Sequence, residues 1–295
     1  MTAPSASTPA PAAAPALEID DVTLRYGGLV ALQHVSLRVA EGEIVGLIGP
    51  NGAGKTSLTN VVTGLARPTT GDVRFYGESI VRLAPFRRGR LGMARTFQIV
   101  RPLVGMSVLE NVVVGAAFGR GGRGISNREA IERASAALDR VGLRDRADLP
   151  VEQLTLANRQ MLELARVLAG DPRILILDEV MAGSSPSEIG RKVELLRALN
   201  RDGLTLIVIE HVMKAVMALS HRIVVLHHGQ LLADGPPEVV TRNPQVLEAY
   251  LGTRFHAQQE VTAAEVAAAT LGDDPSRGAP SSTDTPSPAD PAGDA

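Results

Sequence analysis

Cysteine is absent from all 295 residues. Disulfides, cysteine-ligated zinc and thiol nucleophiles are therefore excluded, and the absence fits a reducing compartment. Aromatic residues are scarce, at 3% against 44% hydrophobic residues overall, so any core must be aliphatic. Charge of one sign is not in excess: the net charge is −2 and the isoelectric point is near 6.3. That argues against a broad basic surface, and no nucleic-acid partner is expected. Also missing is any apolar run of the roughly 18–20 residues needed to cross a bilayer. The apolar stretches are short, such as "ILIL" and "LTLIVI". The opening "MTAPSASTPAPAAAPA" has neither a basic start nor a long leucine-rich stretch, so a secretory signal is not expected. A role at a membrane would need another chain to hold this one there.

What is present falls into three parts. Residues 1–16 are rich in Ala, Pro, Ser and Thr, and 254–295 end "DDPSRGAPSSTDTPSPADPAGDA"; both read as disordered, solvated arms. The folded part is expected over 17–253. It opens with strand-like pieces separated by turn residues: "LEIDDVTLRYG", "ALQHVSLRVA", "GEIVGLIGP" and "GDVRFYG". The middle turns helical. "SNREAIERASAALDRVGL" sets Ile131, Ala134, Leu138 and Val141 at helical spacing, with Ser126 and Glu129 at capping-box spacing. "QMLELARVLA" predicts a second helix, amphipathic from Gln160 onward. "ILILDE" (174–179) and "LTLIVIE" (204–210) are continuous aliphatic runs, as expected of parallel strands covered on both faces. "SPSEIGRKVELLRALN" between them predicts a helix capped by Ser185, with Pro186 in its first turn and Glu188 completing the box. "RIVVLHHGQLLADG" reads as a strand turning into a hairpin. Alternating strands and helices predict an α/β sheet core with a helical second lobe.

"GPNGAGKTS" (49–57) lies between the strand "EIVGLI" and the helix "LTNVVTGL", and its spacing is G-x-x-x-x-G-K-T. Gly49, Gly52 and Gly54 let the backbone approach phosphate oxygens, and Pro50, Asn51, Ala53 and Ser57 complete the loop. Its N–H groups and the helix N-terminus attract phosphate. Lys55 can reach the β and γ phosphates, and Thr56 can hold Mg²⁺. The loop predicts binding of a nucleotide triphosphate. "ILILDEV" then ends a buried strand with two acids. In a P-loop protein Asp178 would accept the Mg²⁺ shell. Glu179 would orient and deprotonate the attacking water, a role worth about 10²–10⁴ in rate.

These motifs together resemble an ABC-type ATPase subunit, and the resemblance covers nearly all of 17–253. It implies an α/β fold: a P-loop, RecA-like ATPase core with an antiparallel β subdomain and an inserted helical subdomain at about 86–168. It implies ATP and Mg²⁺ as ligands. Tyr26 in "LRYGGLVAL" sits where the family stacks an aromatic ring on adenine, worth about 1–3 kcal/mol. Gln98 in "RTFQIVRP" matches the loop that contacts Mg²⁺ and water and touches the transmembrane partner. His211 in "VIEHVMKAV" matches the γ-phosphate-sensing histidine. "YGGLVALQHVSL", "ARTFQIVRPLVGMSVLENVVVGA" and "GPPEVVTRNPQVLEAYLG" are similar to the ATP-binding subunit of branched-chain amino-acid importers. The lipopolysaccharide-extracting ATPase shares the "YLG" ending and is a near neighbour.

The family signature usually reads L-S-G-G-Q; here it reads "LTLAN". In such dimers this segment closes over the ATP held by the other subunit. Thr155 keeps the hydroxyl, while Leu156 and Ala157 replace two glycines and Asn158 replaces glutamine. Were position 157 to need φ > 0, alanine would cost about 1–2 kcal/mol; otherwise its methyl crowds an approaching phosphate. The expected result is a weakened but working half-site. The turn after Glu179 departs as well, with Val180 for the usual Pro and Ser184-Ser185 for Leu-Asn or Leu-Asp.

The resemblance implies a peripheral ATPase on the cytoplasmic face of the inner membrane. It would power import of branched-chain or other hydrophobic amino acids. Its partners would be integral membrane permease subunits, a second ABC ATPase subunit (identical or homologous) and, indirectly, a solute-binding protein. The alternatives are a soluble ABC ATPase of DNA repair or translation, a lipopolysaccharide-extraction ATPase, and a nucleotide-gated subunit without useful hydrolysis. Repair forms carry long coiled coils or zinc modules, and translation forms carry two P-loops. This chain has neither feature.

Overall fold

The structure is a computed structural model that describes residues 15–97, 101–122 and 124–249. The expected arms, apart from Pro15 and Ala16, lie outside these residues, and so does Gln98.

Two sheets form the frame. Strands β1 (Leu17–Tyr26), β2 (Leu29–Val39), β4 (Thr70–Phe75) and β5 (Glu78–Ser79) make an antiparallel sheet in the order β2-β1-β4-β5. The second sheet takes β3 (Ile44–Ile48), β6 (Met93–Arg95), β7 (Ile174–Asp178), β8 (Thr205–Ile209), β9 (Arg222–His227) and β10 (Gln230–Gly235). Its order is β10-β9-β3-β8-β7-β6. Every neighbouring pair is parallel except β9–β10, the hairpin expected from "RIVVLHHGQLLADG".

The aliphatic runs behave as two-faced strands. Ile174 and Ile176 of β7 join the core shared with the antiparallel sheet and helix α1 (Lys55–Thr63). Leu175 and Leu177 point the other way, under α6 (Pro186–Arg201) and α7 (Met213–Leu219). β8 splits likewise, Ile207 and Ile209 on one face and Leu206 and Val208 on the other. Period-2 alternation with both faces apolar is what a covered parallel sheet requires. α1 stops at Gly64, which adopts φ 82°, and its last carbonyls are taken up by a buried arginine. Arg88, on α2 (Pro85–Leu91), donates Nη1 to the carbonyls of Val61 and Val62 at 2.7 and 2.6 Å.

The helical lobe is α3 (Val108–Phe118), α4 (Asn127–Val141) and α5 (Leu156–Ala169) around Val112, Ala134, Leu138, Leu162 and Ala165. α4 is helical as expected, but its buried stripe is rotated. Ala130 and Ala137 join Ala134 and Leu138 inside, while Ile131 is 45% exposed and Val141 only half-buried. Small alanines let α3 and α5 come close, so that face goes inward in place of the bulkier Ile131. At Ser126 half the predicted box forms: Oγ accepts from Glu129 N, and the Glu129 carboxylate turns to Arg133. Ser185 and Glu188 form the complete reciprocal box of α6, with Pro186 in the first turn. A second complete box, Ser107 with Glu110, starts α3. The short helix α8 (Pro237–Val240) follows β10.

Candidate functional site

β3 delivers the glycine loop at the carboxyl ends of the parallel strands, where ligands bind open α/β sheets. Gly49 follows β3 at φ 154°; a Cβ there would lie 2.3 Å from the Leu226 carbonyl oxygen, so no larger residue fits. Gly54 caps α1 at φ 103° with no side-chain bond to the free N–H groups, and no acid sits in the first turn. That leaves the positive end of α1 available to an anion. The Lys55 ammonium is largely buried and donates to the carbonyls of Gly49 (2.6 Å) and Pro50 (3.0 Å). Burial pulls its pKa below the usual lysine range, and the charges of Glu179 and Asp178 oppose that shift.

β7 brings the acids to the same place. Asp178 Oδ2 accepts from Arg95 Nη2 at 2.6 Å, and Arg95 Nη1 donates to Asn60 Oδ1 at 2.7 Å. The backbone N–H of Asp178 donates to Thr96 Oγ1. Glu179 adopts φ 53°, an unfavourable region for a glutamate, and its N–H donates to the Ile209 carbonyl. Strain of this kind concentrates at functional sites. His211, just beyond β8, places Nε2 at 2.8 Å from Glu179 Oε1. Its neighbour Glu210 is buried and accepts from the Met181 N–H at 2.7 Å. Burial raises the Glu210 carboxyl to about 7.

Lys55, Asp178, Glu179 and His211 share one cleft of about 470 Å³. It is lined by Tyr26, the loop from Asn51 to Ser57, Asp178, Glu179 and His211. Gly49 and Pro50 are not among its lining residues; their carbonyls hold Lys55, which is. Tyr26 is no core residue: at the end of β1 it is 52% exposed and faces the cleft. Thr155 and Ala157 are not part of this cleft but lie at the tip of α5 in the helical lobe.

That tip answers the question of position 157. The helix begins at Leu156, four residues ahead of Gln160, and Thr155 is its N-cap, with Oγ1 accepting from Asn158 N at 3.3 Å. Ala157 is inside the helix and is not among the residues with positive φ. The backbone cost anticipated for alanine therefore does not arise, and only its methyl group bears on an approaching phosphate. Leu156 is 70% exposed at the tip.

Four participants are not legible in the sequence. Arg95 holds Asp178 from 83 positions away. His228 and Gly229, in the β9–β10 turn, line the cleft. Glu163, buried on α5, accepts from Phe97 N at 2.7 Å and so ties α5 to the segment leading into Gln98. The histidine–glycine turn after a buried strand was the one local hint; the other two contacts join distant residues.

A glycine cradle after β3, a paired acid at the end of β7 and a histidine after β8 define a P-loop ATPase. The model of the ABC transporter family matches residues 32–182, and that of the branched-chain amino acid ATP-binding cassette transporter matches 230–256. The chain belongs to the ABC transporter family, and within it to the branch of branched-chain amino acid ATP-binding cassettes. It is 40% identical over 255 residues to the high-affinity branched-chain amino acid transport ATP-binding protein BraF of Pseudomonas aeruginosa, covering 81% of this chain and 98% of that one. Its fold matches the ADP conformation of MJ1267, an ATP-binding cassette of an ABC transporter, with TM-score 0.72 and 29% identity, over 81% and 99% of the two chains. It also matches the dimeric post-hydrolysis cassette MJ0796, bound to ADP and Pi, with TM-score 0.68 and 27% identity, over 75% and 98%.

Proposed function

We propose that this chain is the ATP-hydrolysing subunit of a membrane importer for branched-chain or other hydrophobic amino acids. The observation that carries this is the convergence of Lys55, Asp178 and the Glu179–His211 pair on one cleft, in a chain closely related to BraF. The ATPase domain spans 17–253; its helical subdomain, expected at about 86–168, starts later, because β6 (Met93–Arg95) pairs with β7 in the parallel sheet. The relatives favour import over the soluble and lipopolysaccharide-extracting alternatives.

In this reading Tyr26 stacks on adenine, and the loop Gly49–Ser57 wraps the phosphates. Lys55 leaves the loop carbonyls for the β and γ phosphates. Thr56, exposed on the first turn of α1, and Asp178 present oxygens to the same cleft, a donor set that fits Mg²⁺ beside phosphates; Gln98 would add a third. Bound Mg²⁺ supplies neutralisation of phosphate charge. Glu179 takes a proton from water as the water oxygen bonds to the γ phosphorus and the bond to the ADP oxygen breaks. His211 fixes the Glu179 carboxylate for that transfer. Thr155 offers its hydroxyl, and the helix start at Leu156 and Ala157 its N–H groups, to ATP held by a second ATPase subunit.

Among the described residues no helix is long and apolar enough to cross a membrane. Permease subunits would hold the chain at the cytoplasmic face of the inner membrane, with a solute-binding protein delivering cargo. The test is reconstitution with the permease and binding protein in liposomes. Leucine-stimulated ATP hydrolysis and leucine uptake are expected, both abolished by Glu179→Gln. ATP hydrolysis by the assembled complex that is indifferent to leucine, with no leucine uptake, would overturn the reading.

A further inference from the structure

The turn "VMAGSSP" and helix α5, whose tip carries "LTLAN", are bridged by one side chain. Lys192 lies on α6 and is 7% exposed, in a helix face otherwise buried through Val193, Leu196 and Leu199. A buried ammonium is costly unless its protons are taken up. All three are. Nζ donates to Gln160 Oε1 at 2.8 Å, to the Val180 carbonyl at 2.6 Å and to Ser184 Oγ at 2.8 Å. Gln160 belongs to α5, five residues from its cap Thr155. Val180 and Ser184 belong to the turn that leaves Glu179. Leucine at 184 would offer no acceptor, so the serine has a structural reason. The same turn is held from its other side by Glu210, which accepts from Met181 N and precedes His211.

We propose that Lys192 is a positioning residue for hydrolysis: a strut that locks the turn following Glu179 to helix α5, so that the α5 tip and the Glu179 carboxylate move as one body. This rests on the reading of Glu179 as general base and of the α5 tip as the part that meets the second subunit's ATP. Lys192 does not line the cleft and touches no nucleotide. Its removal therefore alters the rate of the chemical step and leaves nucleotide affinity in place. Misplacement by about 1 Å at a reacting centre can cost about 10²-fold in rate.

The experiment compares four variants in the complex assembled with its permease: Lys192→Met, Gln160→Leu, the double variant and Glu179→Gln. ATP affinity is read by equilibrium binding and the chemical step by single-turnover hydrolysis. Lys192→Met is expected to lose about tenfold or more in the single-turnover rate with the dissociation constant unchanged. Gln160→Leu leaves the turn contacts in place and severs only the α5 end; it should lose rate in the same direction. The double variant should lose no more than Lys192→Met, because both lie on one path. Parental rates in both single variants, additive losses, or a fall in affinity equal to the fall in rate would each overturn the strut. Should Lys192→Met fail to fold, Gln160→Leu decides alone. Failure of the underlying reading is distinct: there, Glu179→Gln itself hydrolyses ATP as fast as the parent.

Discussion

His211 Nε2 stands 2.8 Å from Glu179 Oε1, across the ends of two adjacent parallel strands. The contact orients a carboxylate that the backbone has already placed at an unfavourable φ of 53°. Two residues 32 positions apart are thus held as one unit. Glu179→Gln should bind ATP normally and lose about 10²–10⁴ in single-turnover rate, the usual worth of a general base. His211→Ala removes one partner of the carboxylate and leaves the carboxylate itself, so its loss should be smaller. Combining the two should cost no more than Glu179→Gln alone. Rapid-quench measurements on the assembled complex check all three.

Arg95 and Asp178 form a second unit, with side chains 7% and 12% exposed. Arg95→Ala leaves a mostly buried carboxylate without its counter-charge and the Asn60 amide oxygen without its donor. Breaking such a pair from one side costs about 3–5 kcal/mol. Urea denaturation should show that loss for Arg95→Ala. The double variant with Asp178→Asn should be destabilised by clearly less than the sum of the singles. Simple additivity would mean that the pair carries no coupling.

Glu210 gives the stability a pH signature. Its carboxyl is raised to about 7 from the ordinary 4.5. Burial is the main cause, and the charge of Glu179 adds to it; the N–H groups of Met181 and His211 and the ammonium of Lys192 work against it. The folded chain therefore holds a proton there that the unfolded chain releases between about pH 4.5 and 7. This contribution is complete below 4.5 and is lost as pH rises through 7, by up to about 1.4 kcal/mol per pH unit. Glu210→Gln keeps an acceptor for Met181 N. The difference in unfolding free energy between parent and variant should fall across that window and level off above it.

The α5 tip separates backbone strain from crowding. Ala157 is helical, so Ala157→Gly should destabilise by about 1 kcal/mol. If the methyl is what hinders the facing phosphate, the same variant hydrolyses ATP faster in the assembled complex. Thr155→Ala should cost about 1 kcal/mol as a lost cap and slow hydrolysis as well. Thermal melts paired with steady-state rates distinguish the two effects.

What could be read ahead of the structure was local. The glycine loop, the acids closing "ILILDE" and the Ser185–Glu188 box are spelled within a few residues, and each has a short-range physical reason. The Ser107–Glu110 box is equally local, but it sits at the head of an aliphatic run that does not declare its period. α5 starts at Leu156, ahead of the expected Gln160, because Thr155 caps it while the polar Asn158 and Arg159 interrupt the apolar period. The stripe of α4 differs from the one expected because alanine, weakly hydrophobic, wins burial only when neighbouring helices come close. Arg95, Lys192 and Glu163 act across 83, 32 and 66 positions. The pairing of β6 with β7 brings the first together, and the packing around α5 brings the other two.

The central claim is that the cradle between β3 and α1 grips a triphosphate through Lys55. Titration of the purified chain with a fluorescent ATP analogue and Mg²⁺ tests it most directly. Saturable binding, displaced by unlabelled ATP and lost in Lys55→Ala, is predicted. An absence of saturable binding by the parent, or equal binding by Lys55→Ala, would contradict it.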